Sequence, residues 1–598
     1  MTGPKAIFNQ QISRLSILLE QQTKKRRLLG WSRLMVFLAT VFISYYSFHA
    51  VGFWGFLPMA AGLAILLVLV SVDVDNNQQI SNTKTLIDIN NDELQILDHQ
   101  FNHRFSGSRF FTNTHAYAND LDIFGPASVF QWLNRTYTEQ GQRLLASDLL
   151  HPLPPEEISS RQQAVKEIAP MIEWRQQLQS FAKQTPVTVE AEQRTINWLE
   201  EKAVHFVHPG WHLFVWVYTC ISLGSVAALL TGFLPATAFS YLFFIFLISS
   251  LVLSRNTIKP YIALSKIVKE VSSLHRLIQN IEAPEFKSHL LQQLQQGIKP
   301  AQGTAAFQIK KLRIILDRFD LRLNIAGVLF FNSFLLWDVR QMMALNKWRK
   351  QNRQLAAKWF EAVAAMEVLN SLASVHISQP QWCFPEFSNE PGFVAATELG
   401  HPLIPAAARV HNNFFMQGRG KVAIITGSNM AGKSTFLRSL GVNMVLAQIG
   451  SPVCAARFAL SPLQLISSMR IADNLAENTS TFYAELKKLK RILEAVGRQE
   501  NLFILLDEIL RGTNSLDRHT GSVALIRQLI KQQAVAVIAT HDVALADMQQ
   551  EYPSAIHNYH FDVQVSGEEL FFDYKLKEGV CTSLNASLLM KKIGIELD

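Results

Sequence analysis

The chain has 598 residues, more than one hydrophobic core accommodates, so several structural units are expected. Only 17% of the residues are charged, against roughly a quarter in a soluble domain, and the mean hydropathy is +0.11, which argues against an ordinary, evenly polar globular protein. The net charge of +8 points only weakly to nucleic acid: residues 1–30 hold six Lys or Arg against one acid, and anionic lipid attracts such a segment equally well.

The apolarity is concentrated in two places. Leu34 to Val72 is a run of 39 residues without Asp, Glu, Lys or Arg, and Leu213 to Ser254 is a second run of 42. About 20 apolar residues cross roughly 30 Å of hydrocarbon, so each run is long enough for two crossings. Each is interrupted near its middle, the first by Gly52, Gly55 and Pro58, the second by Thr231, Gly232 and Pro235. The pattern predicts helical hairpins at 34–51 with 53–72 and 213–230 with 236–253, four transmembrane helices in all. A secretory signal has one short apolar stretch and does not resemble a double-length run. Lys24, Lys25, Arg26, Arg27 and Arg33 precede the first span, Arg255 and Lys259 follow the last, and the hairpin tips carry no Lys or Arg. The positive-inside rule then predicts a multi-pass protein of the inner (cytoplasmic) membrane with its soluble parts in the cytoplasm. Leu323–Trp337 is also free of charge but has only 15 residues, a length that suits a buried helix better than a span. Four cysteines, Cys220, Cys383, Cys454 and Cys581, are scattered with no Cys-x-x-Cys, so neither a disulfide framework nor a zinc site is expected.

Further along, Val422–Thr426 reads as a short buried strand that runs into Gly427-x4-Gly432-Lys433-Ser434 and then a helical segment from Thr435. This is the phosphate-binding loop pattern. Glycines let backbone N–H groups wrap phosphates, the helix N-terminus adds partial positive charge, Lys433 reaches the β- and γ-phosphates, and the Ser434 hydroxyl ligates Mg2+. A second apolar strand, Leu502–Leu506, ends in Asp507-Glu508, where Asp507 is the expected Mg2+ partner and Glu508 the general base. A third, Ala534–Ala539, ends in Thr540-His541, and His541 is placed to sense the γ-phosphate or orient water. Each acid or histidine alone is more often structural. Three strands ending in polar groups, the first carrying the glycine loop, reverse that balance, because ligands of open α/β sheets sit at the strands' carboxyl ends.

The residues of these motifs resemble the MutS family. TGSNMAGKST at 426–435 is similar to the family's Walker A segment, with Ser428 in place of the usual proline. NTSTFYAEL, containing Ser480, Thr481 and Phe482, resembles the signature loop, DEILRGTNSLD at 507–517 the acidic strand end and the loop after it, and ATHDVALA at 539–546 the histidine switch. Upstream, the stretch from Ser128 to Ile168, with LNRTYTEQGQRLL and RQQAV, resembles the start of the family's helical core, and Gly400-His401-Pro402 its short element ahead of the ATPase. The similarity covers about 400 of the 598 residues. It implies a nucleotide loop of Gly427, Ser428, Asn429, Met430, Ala431, Gly432, Lys433, Ser434 and Thr435, completed across a homodimer of ATPase domains by the partner copy's signature loop, here Ser480 and Thr481. It also makes Val410–Phe415 a candidate for packing the adenine. Phe384-Pro385-Glu386 matches the family's Phe-x-Glu wedge only literally, and nothing ahead of residue 120 resembles a mismatch-recognition domain.

The expected architecture is therefore multidomain: a basic segment at 1–33, a membrane hairpin at 34–72, a helical MutS-core segment at 73–212, a second hairpin at 213–254, a helical lever at 255–385 and an α/β P-loop ATPase domain of ABC type at 386–598. The expected function is a membrane-anchored ATPase using ATP and Mg2+, with the lipid bilayer and double-stranded or structured DNA as partners, related to DNA repair without reading mismatches. The alternative is an ATP-driven membrane-remodelling or signalling protein with no nucleic-acid ligand. A transporter is disfavoured by the short hairpin tips and the absence of the LSGGQ motif.

Overall fold

The computed structural model describes all residues except 1–2, 202–204, 267, 325–326, 429, 470–480, 499–500, 567–568 and 582–598. Most of the chain is helical, and a mixed α/β unit follows the long helix Ala356–Ser378. The first apolar run lies in two very long helices, α1 (Pro4–Val51) and α2 (Phe56–Leu97), joined by a single tight turn at Gly52–Gly55. They pack antiparallel along their whole length. Lys5 meets Asp98 at one end, Gln22 accepts from Asn76 and Thr83, and Thr40 fills the space a Cβ on Gly62 would need. Arg33 and Asp73, the charges that bound the apolar run, pair with each other at 3.1 Å, so the run begins and ends at one level.

Among the described residues, three helical stretches are long and apolar enough to cross a membrane: Pro4–Leu97, Gly210–Leu230 and Ala236–Thr257. The sequence predicts four spans; the structure gives three candidate stretches, the first of them a continuous helical run folded back at Gly52–Gly55. The boundaries expected at 33/34 and 72/73 fall inside α1 and α2. A helix satisfies its own backbone in lipid and in water alike, so it need not stop at the interface.

The length of α2 beyond the apolar run is anchored by polar side chains. Asn90 and Gln176 exchange amide hydrogen bonds of 2.8 and 3.0 Å, and Asn82 accepts from Ser180 and Gln184. Glu93 forms a two-pronged ion pair with Arg135, at 3.0 and 2.9 Å, with both side chains almost wholly buried. The backbone N–H of Arg135 donates to Ser371 on the helix Ala356–Ser378, and Glu367 of that helix accepts from the N–H groups of Tyr137 and Thr138 and from the Thr138 hydroxyl. The LNRTYT stretch is thus the knot joining the first hairpin to the helix that leads into the sheet unit.

That unit holds two sheets. The smaller runs β1 (Glu386–Phe387), β5 (Arg457–Leu460), β2 (Val394–Leu399), β3 (Asn412–Met416). The larger runs β10 (Glu569–Glu578), β9 (Ile556–Ser566), β4 (Val422–Thr426), β8 (Val535–Thr540), β7 (Leu502–Asp507), β6 (Gln464–Ser468). Its strands are parallel except β10. Every residue of β4, β7 and β8 is buried, as expected for strands covered on both faces. One hydrophobic core continues from the helical segments into one face of this sheet. At that seam Asp120 accepts from Ser467 and Lys488, and Leu121 packs so closely on Gly441 that a Cβ there would come within 2.8 Å of it.

Candidate functional site

Strand register brings the three polar strand ends together. Thr426 of β4 is level with Thr540 of β8, and Ala539 of β8 with Asp507 of β7, so Gly427, Glu508 and His541 all emerge at one sheet edge. The loop from Gly427 turns through φ values of 147° at Gly427, 66° at Met430 and 107° at Gly432, and the helix Lys433–Gln448 begins at once. Gly427 also has no room for a side chain, because a Cβ would lie 2.7 Å from the Phe561 carbonyl oxygen. Ala431 is buried, while Met430 stands out from the loop, 80% exposed. The Ser428 hydroxyl is buried without a hydrogen-bond partner among the described residues.

Lys433 donates to the carbonyls of Gly427 and Ser428 at 2.8 and 2.9 Å, which folds its ammonium over the loop. Burial brings its pKa down to about 8, although Glu508 and Asp507 oppose the shift. Ser434 hydrogen-bonds to Asp507, whose carboxyl is raised above its ordinary value by burial. The other Asp507 oxygen, Oδ1, is buried with no hydrogen-bond partner among the described residues. A hydroxyl beside a carboxylate with a spare buried oxygen fits a hard, oxygen-preferring divalent ion such as Mg2+. Among the described residues no group of three or more His, Cys, Asp or Glu side chains could hold a metal, so the remaining ligands of such an ion would be phosphate oxygens and water.

Glu508 sits at φ 46°, a left-handed conformation that a non-glycine residue adopts only when its surroundings impose it. Its N–H donates to the Ala539 carbonyl at 2.9 Å, its Oε1 lies 2.5 Å from His541 Nε2, and its Oε2 is 2.8 Å from Arg511 Nε. The hydrogen bond from His541, helped by the charge of Arg511, holds the Glu508 carboxyl below its usual range. Lys433 Nζ is 3.3 Å from His541 Nδ1. Lys433 Nζ is also 3.4 Å from Nε2, so the lysine lies against the ring without selecting one nitrogen, while the 2.5 Å contact has Nε2–H donating to Glu508. Lysine, histidine and glutamate form one hydrogen-bonded line across the strand ends.

The loop after Glu508 is held from the helix into which the NTSTFYAEL segment runs. Glu485, on the helix Thr481–Gly497, accepts the N–H groups of both Leu510 and Arg511, and Gly512 lies against Phe482 with no space for a Cβ. Asn429 and Ser480 lie outside the described residues, and Thr481 is described only as the first residue of that helix.

Beside the glycine loop opens a cavity of about 470 Å³ lined by His401, Ile404, Val410, Phe436, Tyr574 and the loop residues Met430–Thr435. Its size and mixed polarity suit a heterocyclic base. Of the expected Val410–Phe415 stretch, Val410 and Asn412 line it. Phe415 does not: it is 55% exposed and packs edge-on against Phe393. Alternation along β3 sends it to the opposite side from Phe414, which packs on Phe436. The sequence offered no signal for Tyr574. A register shift between Phe572 and Leu576, with Tyr574 at φ 52°, swings that ring to within 3.1 Å of where a Gly432 Cβ would stand. Asn412 clips the bulge in place through the Tyr574 carbonyl and the Leu576 N–H. Burial drops the His401 pKa to about 4, so its ring is neutral at physiological pH. Phe384-Pro385-Glu386 is structural: Phe384 packs on His376 under Lys166, Gln162 donates to the Pro385 carbonyl, and Glu386 starts β1.

Fold and site together define a helical core coupled to a parallel-sheet unit with a glycine loop, a lysine and an acidic strand end. The family description of MutS domain V matches residues 423–590, and that of MutS domain III matches residues 111–375. A DNA mismatch repair protein MutS of Thermotoga sp. (strain RQ2) is 32% identical over 250 residues, 41% of this chain and 31% of the relative. One from Chlorobium phaeovibrioides is 33% identical over 233 residues, 38% and 26% of the two chains, and one from Thermotoga maritima is 30% identical over 250 residues, 41% and 31%. The match thus spans under a third of the relatives' own length. The chain belongs to the MutS family. Its second apolar hairpin lies inside the domain III match, and residues 1–110 precede both matches.

Proposed function

We propose that this protein is a membrane-anchored ATPase that hydrolyses ATP at a composite site formed by two copies of its sheet unit. The observation that carries the reading is the convergence of Lys433, Ser434, Asp507, Glu508 and His541 at the carboxyl ends of β4, β7 and β8. Backbone N–H groups of Gly427–Thr435 and the N-terminus of the helix Lys433–Gln448 wrap the phosphates, and Lys433 moves from the loop carbonyls to the β- and γ-phosphate oxygens. Ser434 and Asp507 would hold Mg2+, which when bound neutralises charge on the phosphate chain. Glu508, kept ionised, accepts a proton from the attacking water, and His541 fixes the direction of that carboxylate. Val410 and Tyr574 sandwich the base. Asn429, Met430 and, from the partner copy, the Ser480–Thr481 segment complete the site, so that ATP closes the dimer and hydrolysis opens it. Glu508→Gln tests the reading: it should retain ATP binding and lose turnover, and unchanged hydrolysis would remove Glu508 from the mechanism.

The membrane part of the proposal takes the stretch Pro4–Leu97 as two crossings, giving four with the second hairpin, and places the ATPase in the cytoplasm. The exposed apolar belt and the Arg33–Asp73 pair at its boundary support it. For the object acted upon, the relatives' name supports DNA in a repair context, with residues 1–110 given over to a hairpin in place of a mismatch reader. A second reading, in which the ATPase cycle rearranges the membrane segments without nucleic acid, is favoured by the burial of Glu93 of α2 against Arg135 in the domain III region. A salt-sensitive rise in ATPase rate on adding duplex or branched DNA supports the first reading, and no DNA binding at low salt leaves the second.

A further inference from the structure

Leu323–Trp337 carries no charge and is too short to cross a bilayer. The structure does not make it one buried helix. A π-helical turn at Gly327–Asn332 leads into a short turn at Ser333–Leu335, Leu336 takes φ 47°, and a regular helix resumes only at Trp337. Such a break strips carbonyls of their intrahelical partners, and here side chains replace them. Tyr218 donates to the Ser333 carbonyl at 2.8 Å, Ser222 to that of Phe334 at 2.6 Å, and Arg340 Nε to that of Leu335 at 2.8 Å. Two of these donors belong to the helix Gly210–Leu230. Phe334 lies against Phe243 and Phe246 of the helix Ala236–Ser254, and Asn332 donates to Ser254. Ser222 and Phe243 lie about 14 and 17 Å inside the charge-free run at about 1.5 Å per residue, toward the middle of a hydrocarbon core of roughly 30 Å. Ser254 is the last residue of that run, so the segment climbs from the boundary at Asn332 to that depth at Phe334. Irregular backbone is tolerated at that depth only where protein groups satisfy it, and these do. On the other side of the segment, Phe330 is 62% and Phe331 45% exposed.

We propose that residues 327–336 form a re-entrant membrane element, inserted beside the second hairpin, whose Phe330 and Phe331 face lipid acyl chains. The bilayer is the partner because these rings continue the apolar belt of that hairpin, whose Phe244 and Ile245 are similarly exposed. The proposal rests on the reading that the hairpin spans a membrane, and its test separates the two. The full chain, with Cys220, Cys383, Cys454 and Cys581 replaced by serine or alanine, is reconstituted into phosphatidylcholine–phosphatidylglycerol vesicles. A fluorophore is attached at Phe330→Cys or, independently, at Phe331→Cys, with Phe244→Cys reporting the hairpin and Phe571→Cys the sheet unit. Nitroxide lipids labelled on the acyl chain should quench the label at 330 and 331 within about twofold of that at 244, while aqueous iodide quenches only the one at 571. Iodide quenching at 330 and 331 with acyl-chain quenching at 244 overturns the re-entrant element and leaves the hairpin standing. Iodide quenching at 244 as well removes both.

Discussion

Replacing Glu93 by glutamine should unfold the junction between the first hairpin and the helical core. The side chains of Glu93 and Arg135 are only 5% and 2% exposed and share two hydrogen bonds. Arg104 and Arg175, both buried, also lie in the field of the Glu93 carboxylate. Glu93→Gln keeps the shape of the side chain but leaves these guanidinium groups without that negative charge, the situation that costs about 3–5 kcal/mol when one partner of a buried pair is removed. At about 2–4 °C per kcal/mol for a unit of this size, the thermal midpoint should fall by roughly 6–20 °C. Lys5→Ala provides the internal comparison, because the Lys5–Asp98 pair, five residues beyond Glu93 at the same end of the two helices, is 60% and 51% exposed and should contribute under about 1 kcal/mol. Tryptophan fluorescence of detergent-solubilised protein, heated at one fixed rate, reads both variants. If Glu93→Gln shifts the midpoint no more than Lys5→Ala, the buried pair is not what fastens the hairpin.

Tyr574→Ala should weaken ATP binding by roughly five- to a hundredfold, the range expected for one lost base–aromatic stack, while Tyr574→Phe stays near wild type; equal loss in both variants would point to the hydroxyl instead. Lys433→Ala should abolish measurable nucleotide affinity in an equilibrium binding assay, and normal binding would unseat the glycine loop as the phosphate site. Glu485→Gln should lower kcat by about tenfold or more with little change in ATP affinity, because its charged hydrogen bonds to Leu510 and Arg511 hold the loop behind Glu508; an unchanged kcat refutes this. Burial lifts Glu367 from its ordinary value of 4.5 to about 7. The folded state therefore keeps a proton that the unfolded chain releases, and stability falls as pH rises from about 4.5 to 7, by the order of 3 kcal/mol. Glu367→Gln should flatten that part of the midpoint–pH curve, and a slope identical to wild type would show that Glu367 does not titrate there.

What could be read from the sequence was what is local along it. The phosphate loop is a strand, a glycine turn and a helix in direct succession, and Asp507, Glu508 and His541 announce themselves by ending apolar strands. Tyr574 could not be read, because a bulge in β10 and a clip from Asn412 swing its ring over the loop from 142 residues downstream of Gly432. Glu485 lies within the NTSTFYAEL segment but signalled no role there, since an acid on an amphipathic helix normally reads as solvated surface. The apolar runs marked the turn at Gly52–Gly55 but not the true ends of α1 and α2. Those extensions are packed by amides and hydroxyls, Asn76, Thr83 and Asn90 among them, and interior positions filled by polar residues give no hydrophobic period to follow. Leu323–Trp337 misled for a related reason: its carbonyls are satisfied by Tyr218 and Ser222, about a hundred residues away, and nothing local marks a broken helix.

The paired helices α1 and α2 also act as a ruler. From Arg33 back to Pro4, α1 continues for 29 residues, about 44 Å at about 1.5 Å per residue, and α2 runs beside it until Lys5 meets Asp98. In the membrane-anchored reading proposed above, the apolar end of the rod would lie in lipid and the sheet unit would work within a shell of fixed depth against the bilayer. Whatever it acts upon must be brought into that shell, and lengthening or shortening both helices by whole turns would change its depth without touching a single catalytic residue.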